Sequence, residues 1–362
     1  MAQCGLTSKE RARTFSRMRR ASLFVALLLA ACGSDPDPAG ESTGTDAGKV
    51  TPTPSATSTA TPVVDAGVDA EPPRRGPPYP IVLLHGMAGF KKLTVGPIGI
   101  EYWSGVLPAL AKKGETEVFI TEASPYASSD VRAREIQKQL EDILRKTGSA
   151  KVNLVAHSQG GIDARLLASP AGLGLGKYIA SVTTVATPHR GSRVADLALG
   201  FVPGGIVDDA LSALLGLVQR TAYDLRTDAS LRAQLQQISV SYMDGDFNAR
   251  IVDDPGVRYE SYAGRSNLRT GIGVCDGAVN KNNPLDLDAI QPELAPTALY
   301  LENGLPVEVN DGLVTVHSAK WGTFVGCVPA DHMDEIGIGP GIGFDHVDFY
   351  TKVVARVRKN GF

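Results

Sequence analysis

Short apolar runs alternate along the chain with longer segments that carry one apolar stripe. The runs predict strands that are buried on both faces of a parallel sheet, and the stripes predict helices packed against it. The predicted strands are Ile81 to Leu84, Glu117 to Thr121, Val152 to Ala156 and Ala180 to Ala186, and the predicted helices are Tyr102 to Lys113, Asp130 to Lys146 and one that begins at Gly160. This alternation predicts an α/β fold with a mostly parallel central sheet and helices on both faces.

The first 31 residues have the pattern of an export signal. Arg17, Arg19 and Arg20 precede an apolar run, Leu23 to Ala31, which is too short to span a bilayer stably. The segment 1–31 leads into Cys32, and Leu-Ala-Ala-Cys resembles the lipobox of bacterial lipoproteins. That resemblance implies cleavage before Cys32, a lipid on the cysteine and, because Gly33 follows it, sorting to the outer membrane. An ordinary secretory signal with an incidental cysteine is the alternative, and Met18 is an alternative start.

Residues 32–78 are rich in Ser, Thr, Pro, Ala, Gly and Asp and contain hardly any large apolar side chain. Such a segment cannot bury enough surface to fold, so we expect a tether that leads to a folded domain at 79–362. The chain has a formal charge of −3, and since residues 1–31 carry a net +5, the remainder is acidic at about −8. An acidic mature chain argues against a nucleic-acid partner.

A serine lies where a predicted strand passes into a predicted helix. The strand Val152 to Ala156 runs into His157-Ser158-Gln159, and the helix begins at Gly160. This pattern is typical of the nucleophile elbow of α/β-hydrolases, a strained turn that holds a serine at a helix N-terminus and requires small neighbours, here Ala156 and Gly160. An ordinary turn with an incidental serine is the alternative.

A second glycine-containing turn, His85-Gly86-Met87, follows the strand Ile81 to Leu84. In a parallel sheet this turn lies at the same edge as Ser158. In α/β-hydrolases such a turn provides one oxyanion N–H and the residue after the nucleophile provides the other, which assigns the backbone amides of Met87 and Gln159. A turn that only reverses the chain is the alternative.

Together, the segments YPIVLLHGMAGF, AHSQGG, ATPHRGS, NDGLV and DHMDE resemble the secreted triacylglycerol lipases of the Pseudomonas and Burkholderia type over residues 79–362. The resemblance implies an α/β-hydrolase fold with a helical lid and a lipid ester as substrate, and it leaves a lipase-specific foldase open as a partner. Tyr102 and Trp103, in a further shared block, either line an acyl pocket or pack in the core. The chain departs from the family in Ala156 in place of glycine, in its cysteine placement, in its lipoprotein signal and between about 205 and 300.

The catalytic acid and histidine of such an enzyme follow Ser158, in the order serine, acid, histidine. The block Asn-Asp-Gly-Leu-Val assigns Asp311 as the acid, although Asn-Asp-Gly is also common in surface turns. Two late histidines compete for the third place. His332, within Asp-His-Met-Asp-Glu, fits the family's block better than His346, which opens the predicted terminal helix. We therefore expect a triad of Ser158, Asp311 and His332.

The resemblance also implies a calcium ion that holds the histidine loop. Asp334, two residues after His332, matches one calcium-binding aspartate. The second is expected in Leu-Asp-Leu-Asp at 285–288, where Asp286 is the better match and Asp288 the alternative. Carboxylates are suitable hard ligands for Ca²⁺, but a pair of solvated or helix-capping carboxylates is the alternative.

The two cysteines of the folded domain, Cys275 and Cys327, form an even pair in an exported chain, which predicts a disulfide. The bridge would enclose Asp311 in its loop and end five residues before His332. In the family the second cysteine lies just after the acid block, so the position of this bridge is not carried over from the family.

An apolar stripe lies between the elbow and the acid block. Its members are Val207, Leu211, Leu214, Leu215 and Val218. The resemblance implies that the surrounding segment, about 200–240, is a lid that opens at a lipid interface, and its glycine-rich flanks favour this. A buried core helix is the alternative.

These features predict a tethered serine ester hydrolase, and most closely a triacylglycerol lipase that works through an acyl-enzyme. A short-chain carboxylesterase or polyester depolymerase with the same triad is the alternative. A different class is a catalytically inactive hydrolase fold that serves as a surface adhesin. Loss of a triad residue would favour the adhesin, and the sequence has lost none. The lipobox predicts an outer-membrane or cell-surface location.

Overall fold

The computed structural model of the protein describes residues 74–89, 92–95, 98–200, 229–266, 273–277, 288–303, 308–338 and 344–362. The predicted signal with Cys32, most of the tether, the apolar stripe at 207–218 and Asp286 lie outside the described residues. Residues Pro73–Thr94 and Gly99–Phe362 group into one compact unit. No helix in the described ranges is long and apolar enough to cross a bilayer.

The strands of the described residues are β1 Ile81–Leu84, β2 Lys92–Val95, β3 Ile98–Glu101, β4 Val118–Ile120, β5 Val152–His157, β6 Ile179–Val185, β7 Arg258–Gly264 and β8 Thr323–Val328. Six of them form a parallel central sheet in the order β4-β1-β5-β6-β7-β8. Strands β2 and β3 pair with each other in a separate two-stranded sheet. The four predicted strands are all present with ends within a residue of those expected, and the predicted α/β fold is confirmed.

The α-helices of four or more residues in the described part of the chain are α1 Val106–Lys112, α2 Ser129–Thr147, α3 Gly160–Ala168, α4 Arg193–Ala198, α5 Ala229–Gln237, α6 Ala295–Asn303, α7 Val316–Ala319 and α8 His346–Lys359. Other helical segments are the α-helical turns Val240–Tyr242 and Asn248–Arg250, the π-helical turn Met243–Phe247 and the 3-10 turns Gly176–Tyr178 and Asp334–Ile336. The first helix begins four residues later than predicted, because Gly105 has a left-handed φ of 75° that a helix cannot contain. Helix α2 extends one residue beyond the predicted Asp130 to Lys146 at each end and stops at Gly148, whose left-handed φ of 62° ends the helix.

The hydrophobic core lies on both faces of the sheet. Along β1, Val82 and Leu84 join one apolar cluster with residues of α2 and α3, whereas Ile81 and Leu83 join another with residues of α1 and α8. Alternate side chains of a strand point to opposite faces, so this division places helices on both sides. The continuous apolar run in β1 is the direct result, because neither face of the strand is exposed to water.

Tyr102 and Trp103 are buried members of this core. The Trp103 ring packs edge-on against the ring of Tyr350 in α8, with centroids 4.9 Å apart. The predicted disulfide is also present. It joins Cys275 to Cys327 at the end of β8 with a Cα separation of 5.2 Å, and a bridge of this kind stabilises a fold mainly by restricting the unfolded chain.

Candidate active site

Ser158 lies in a strained turn between β5 and α3. Its φ of 55° is left-handed, and its amide donates to Val185 O at 2.9 Å. The neighbouring backbones come very close: a Cβ added at Gly160 would lie 2.7 Å from His85 O, and one added at Gly86 would lie 2.6 Å from Ser158 Cβ. Glycine is therefore required at both positions for the helix and the turn after β1 to approach the serine. The strain and close packing are those of a nucleophile elbow.

The structure brings the three expected triad residues into hydrogen-bonding distance. The Ser158 hydroxyl lies 2.9 Å from His332 Nε2, and Asp311 Oδ2 lies 2.9 Å from His332 Nδ1. The Asp311 side chain is shielded from water and that of His332 is nearly so. A neutral imidazole that donates from Nδ1 to the carboxylate has Nε2 free to accept the serine proton.

Backbone amides of the turn that follows Asp311 hold its carboxylate in place. Its Oδ1 accepts hydrogen bonds from the amides of Leu313 at 2.9 Å and Val314 at 2.7 Å, which leaves Oδ2 for the histidine. The Asp311 carbonyl also accepts from the His332 amide at 2.9 Å. The Asn-Asp-Gly block is thus a turn, but a buried one, in which Gly312 has a left-handed φ of 97°.

The competing histidine has a different environment. His346 begins α8, and its Nε2 lies 2.8 Å from the carbonyl oxygen of Ser104. Its ring also lies directly against Gly337, where an added Cβ would approach the imidazole to 2.3 Å. Of the two late histidines, His332 is the one in contact with Ser158.

Gln159 directly follows Ser158, and Gly86, the residue before Met87, lies against the Ser158 side chain. Ala88 has a left-handed φ of 54°, and its amide donates to Pro125 O at 2.9 Å, while the amide of Gly86 donates to the Tyr102 hydroxyl at 3.0 Å. These bonds hold the turn on both sides of Met87. In the described part of the chain, neither the Met87 nor the Gln159 amide has a protein acceptor, as expected for donors that face a reacting oxygen.

A buried arginine that the sequence did not single out supports this turn. Arg132, in α2, donates to His85 O at 2.7 Å, to Ser124 O at 2.9 Å and to the Asp163 carboxylate at 2.8 Å. Asp163 lies in α3, so one guanidinium links the turn after β1 to the elbow helix. Burial, with the nearby Arg132 charge, lowers the pKa of His85 to about 4, so His85 is neutral at physiological pH.

A chain of buried polar groups lies behind His332. The Tyr102 hydroxyl lies 2.7 Å from His157 Nδ1, and His157 Nε2 lies 2.8 Å from Glu335 Oε2. The His157 and His332 rings are 4.7 Å apart. Burial lowers the pKa of His157 well below its usual range and raises that of Glu335 well above it, so burial disfavours the charged form of both groups.

Three carboxylates meet beside the histidine loop. Oxygens of Asp288, Asp331 and Asp334 lie within 4.8 Å of one another. Both Asp288 oxygens are buried without a well-aligned hydrogen-bond partner among the described residues, although the amides of Ala289 and Asp331 lie near enough to lower its pKa in part. Burial first, and then the neighbouring carboxylates, raise the pKa of Asp288 to about 7. Unpaired buried oxygens of this kind fit a hard cation such as Ca²⁺.

The cluster differs in part from the predicted pair. It contains Asp334 and the alternative ligand, Asp288, whereas the preferred Asp286 lies outside the described residues. Asp331 was not predicted, and its only sequence signal is its position beside His332. Gln291 also contributes, since its Nε2 donates to Asp334 Oδ1 at 2.9 Å and its amide to Asp331 Oδ2 at 2.8 Å.

Fold and site together define an α/β-hydrolase with a serine–histidine–aspartate constellation. Residues 79–246 match the model of the α/β-hydrolase fold family. A triacylglycerol lipase of Vibrio cholerae is 30% identical over 294 residues, which cover 78% of this chain and 88% of the relative. A triacylglycerol lipase of Burkholderia plantarii is 28% identical over 290 residues, 71% of this chain and 78% of the relative. The chain belongs to this family of bacterial triacylglycerol lipases, which confirms the predicted resemblance.

Solved structures agree at the level of the fold. A lipase of Staphylococcus hyicus superposes with a TM-score of 0.54 at 18% identity, over 81% of this chain and 98% of that one. The mature lipase BlEst2 of Bacillus licheniformis superposes with a TM-score of 0.51 at 22% identity, over 74% of this chain and 89% of that one.

Proposed function

We propose that the protein is a serine ester hydrolase that cleaves triacylglycerols through an acyl-enzyme. The observation that carries the proposal is the pair of 2.9 Å contacts that join Ser158 Oγ to His332 and His332 to Asp311. Membership of the triacylglycerol lipase family supports the substrate class. The elbow and the two adjoining amides supply the other parts that acyl transfer requires.

In the acylation step, Ser158 Oγ attacks the ester carbonyl carbon while His332 Nε2 takes the hydroxyl proton. The carbonyl oxygen becomes an oxyanion, which accepts hydrogen bonds from the proposed donors, the amides of Met87 and Gln159. Asp311 holds the imidazole in the right tautomer and stabilises the imidazolium. When the tetrahedral intermediate collapses, the ester C–O bond breaks and His332 gives its proton to the leaving alcohol.

In deacylation, water takes the place of the alcohol. His332 removes a proton from the water, whose oxygen attacks the acyl carbon. The intermediate then collapses with cleavage of the bond to Ser158 Oγ, which regains its proton from His332. The products are a fatty acid and the free enzyme.

We also propose that Asp288, Asp331 and Asp334 hold a calcium ion. Asp331 and Asp334 flank His332 by one and two positions, so a cation bound there would restrain the loop that carries the catalytic histidine. Calcium would supply structural stabilisation, and none of the proton transfers above depends on it.

The disulfide indicates an oxidising compartment and therefore an exported protein. We propose that a lipid on Cys32 anchors it, with residues 32–78 as the tether. Membrane fractionation of wild type and Cys32→Ser tests this: the variant should be released from membranes. A wild-type protein that is freely secreted and unmodified by mass spectrometry would rule out the anchor.

The substrate proposal is tested with emulsified tributyrin and triolein and with a series of p-nitrophenyl esters of increasing chain length. A lipase hydrolyses the long-chain triacylglycerol. Hydrolysis of short soluble esters alone would support a carboxylesterase, and release of monomers from a polyester film a depolymerase. A folded wild type that is inactive on every ester would remove the proposal.

A further inference from the structure

Gln234 is a fully buried polar residue that the mechanism does not use. It lies in α5, and its side-chain nitrogen is within 2.6 Å of Gln159 Oε1 and 3.0 Å of Pro125 O. An amide nitrogen carries two hydrogens, so Nε2 donates to both oxygens at once. The acceptors belong to two different parts of the chain, and Gln234 joins them.

Each of these acceptors is tied to one of the two proposed oxyanion donors. Gln159 provides one donor from its own backbone, and its side chain is also fixed by donation to Ala127 O at 3.2 Å. The Pro125 carbonyl accepts from the Ala88 amide at 2.9 Å, one peptide after Met87, which provides the other donor. Gln234 Nε2 therefore contacts the side chain of one residue that provides a proposed oxyanion donor and the carbonyl that holds the turn containing the other.

The side-chain amide of Gln234 is only partly satisfied. Its Oε1 is buried and has no hydrogen-bond partner among the described residues. An unpaired buried acceptor is costly, and this cost offsets part of the stability that the two hydrogen bonds from Nε2 provide. An apolar side chain of similar length could not donate the two hydrogen bonds from Nε2 to Gln159 and Pro125.

We propose that Gln234 is a positioning residue for the oxyanion hole. It acts through Gln159 and through the turn that contains Met87, and it touches no reacting atom. The inference rests on the proposed ester hydrolysis. Because oxyanion donors must meet the transition state at hydrogen-bond distance, loosening them lowers kcat more than it changes substrate binding.

The test is Gln234→Met, which keeps length and burial but cannot donate. The matched control is Gln236→Met, the same change at an exposed position of α5. With p-nitrophenyl butyrate, we expect kcat per titrated active site to fall roughly tenfold to hundredfold in Gln234→Met, with KM within about threefold of wild type. The control should match wild type in both constants.

A double mutant separates positioning from independent effects. Gln159→Met keeps the backbone amide but loses the contact with Gln234. If Gln234 acts through Gln159, the double variant should lose less kcat than the product of the two single losses. Losses that multiply fully, or a kcat for Gln234→Met within twofold of wild type, would overturn the proposal.

Folding and function are kept distinct by two further measurements. A Gln234→Met protein that melts lower but keeps wild-type kcat per titrated site has a structural residue at 234, which also overturns the proposal. If that variant does not fold, Gln234→Leu is measured by the same criteria. A wild type without esterase activity would instead remove the proposed function on which the inference rests.

Discussion

The Ser158 hydroxyl lies 2.9 Å from Nε2 of His332, although 174 positions separate the two residues along the chain. Both follow the carboxyl ends of parallel strands, Ser158 after β5 and His332 in the loop after β8. Parallel strands end at the same edge of a sheet, so the topology brings the two side chains to one crevice. The Asp311 loop and the turn after β1 complete the site at that edge.

The triad assignment predicts which histidine is essential. His332→Ala should lower kcat by roughly 10⁴-fold or more, because its Nε2 is in position to take the Ser158 proton, and Ser158→Ala should do the same. His346→Ala should keep most activity, since its ring contacts Ser104 O rather than Ser158. Turnover of a soluble ester by the folded variants decides this. An active His332→Ala beside an inactive His346→Ala would show the triad to be wrong.

The buried arginine predicts a large stability effect. Arg132→Met leaves the Asp163 carboxylate and the His85 carbonyl without their donor, so the free energy of unfolding should fall by about 3–5 kcal/mol. Arg134→Met, at an exposed position of α2, is the control and should change it little. Adding Asp163→Leu to Arg132→Met should restore part of the loss, because no charge is then left unpaired. Urea denaturation measures each variant; equal stabilities for Arg132→Met and its control would contradict the ion-pair interpretation.

The buried His85 predicts a pH dependence of stability. Its pKa is about 4 in the folded protein and 6.5 as the ordinary value, so between these limits the unfolded chain binds the extra proton. The contribution of neutral His85 to the free energy of unfolding is therefore fully present above pH 6.5. It is lost as pH falls toward 4, by up to about 1.4 kcal/mol per pH unit. His85→Gln, which does not titrate, should show a shallower slope than wild type in denaturation series between pH 7 and 4.5. Parallel slopes would mean that His85 is not buried in neutral form.

The aspartate cluster predicts stabilisation by calcium. A ligand that binds only the native state raises the melting temperature, so excess chelator should lower that of wild type and added Ca²⁺ should restore it. Asp288→Asn should be less stable than wild type in calcium and insensitive to the chelator. Asp244→Asn, at an exposed position, serves as the control. A melting temperature that chelator leaves unchanged, with no metal found by elemental analysis, would reject the site.

The apolar stripe at 207–218 predicts interfacial activation. A lid exposes its apolar face when open, and a lipid surface stabilises that open state because only it gains contacts there. Activity on tributyrin should rise more steeply beyond the solubility limit, and Leu211→Ser with Leu214→Ser should weaken the rise while sparing soluble esters. A core helix predicts that the double variant loses stability and all activity together, by about 2 kcal/mol or more per site. If the dependence of activity on tributyrin concentration does not change at the solubility limit, the lid interpretation is wrong.

Much of this protein could be predicted from its sequence because the relevant signals are local. A strand buried on both faces favours a continuous apolar run, and β1 carries one over four residues. The elbow likewise needs small residues at fixed short distances from Ser158, and the contacts at Gly160 show why. Asp311 and His332 were predicted through short blocks that resemble those of a known family, and the structure brings both to hydrogen-bonding distance of their expected partners.

Other features were decided only by the tertiary structure. Gln234 and Gln159 are 75 positions apart, and Arg132 and the His85 carbonyl 47, so no local pattern links them. Polar residues on amphipathic helices usually face water, and although Arg132 lies four positions before Ile136 on the apolar stripe of its helix, no local pattern shows which groups it would contact there. Asp331 joins the acidic cluster because the loop after β8 folds back beside Asp288. The free energy of a buried polar group depends on which partners surround it, and those partners come together only when the sheet and its helices have packed.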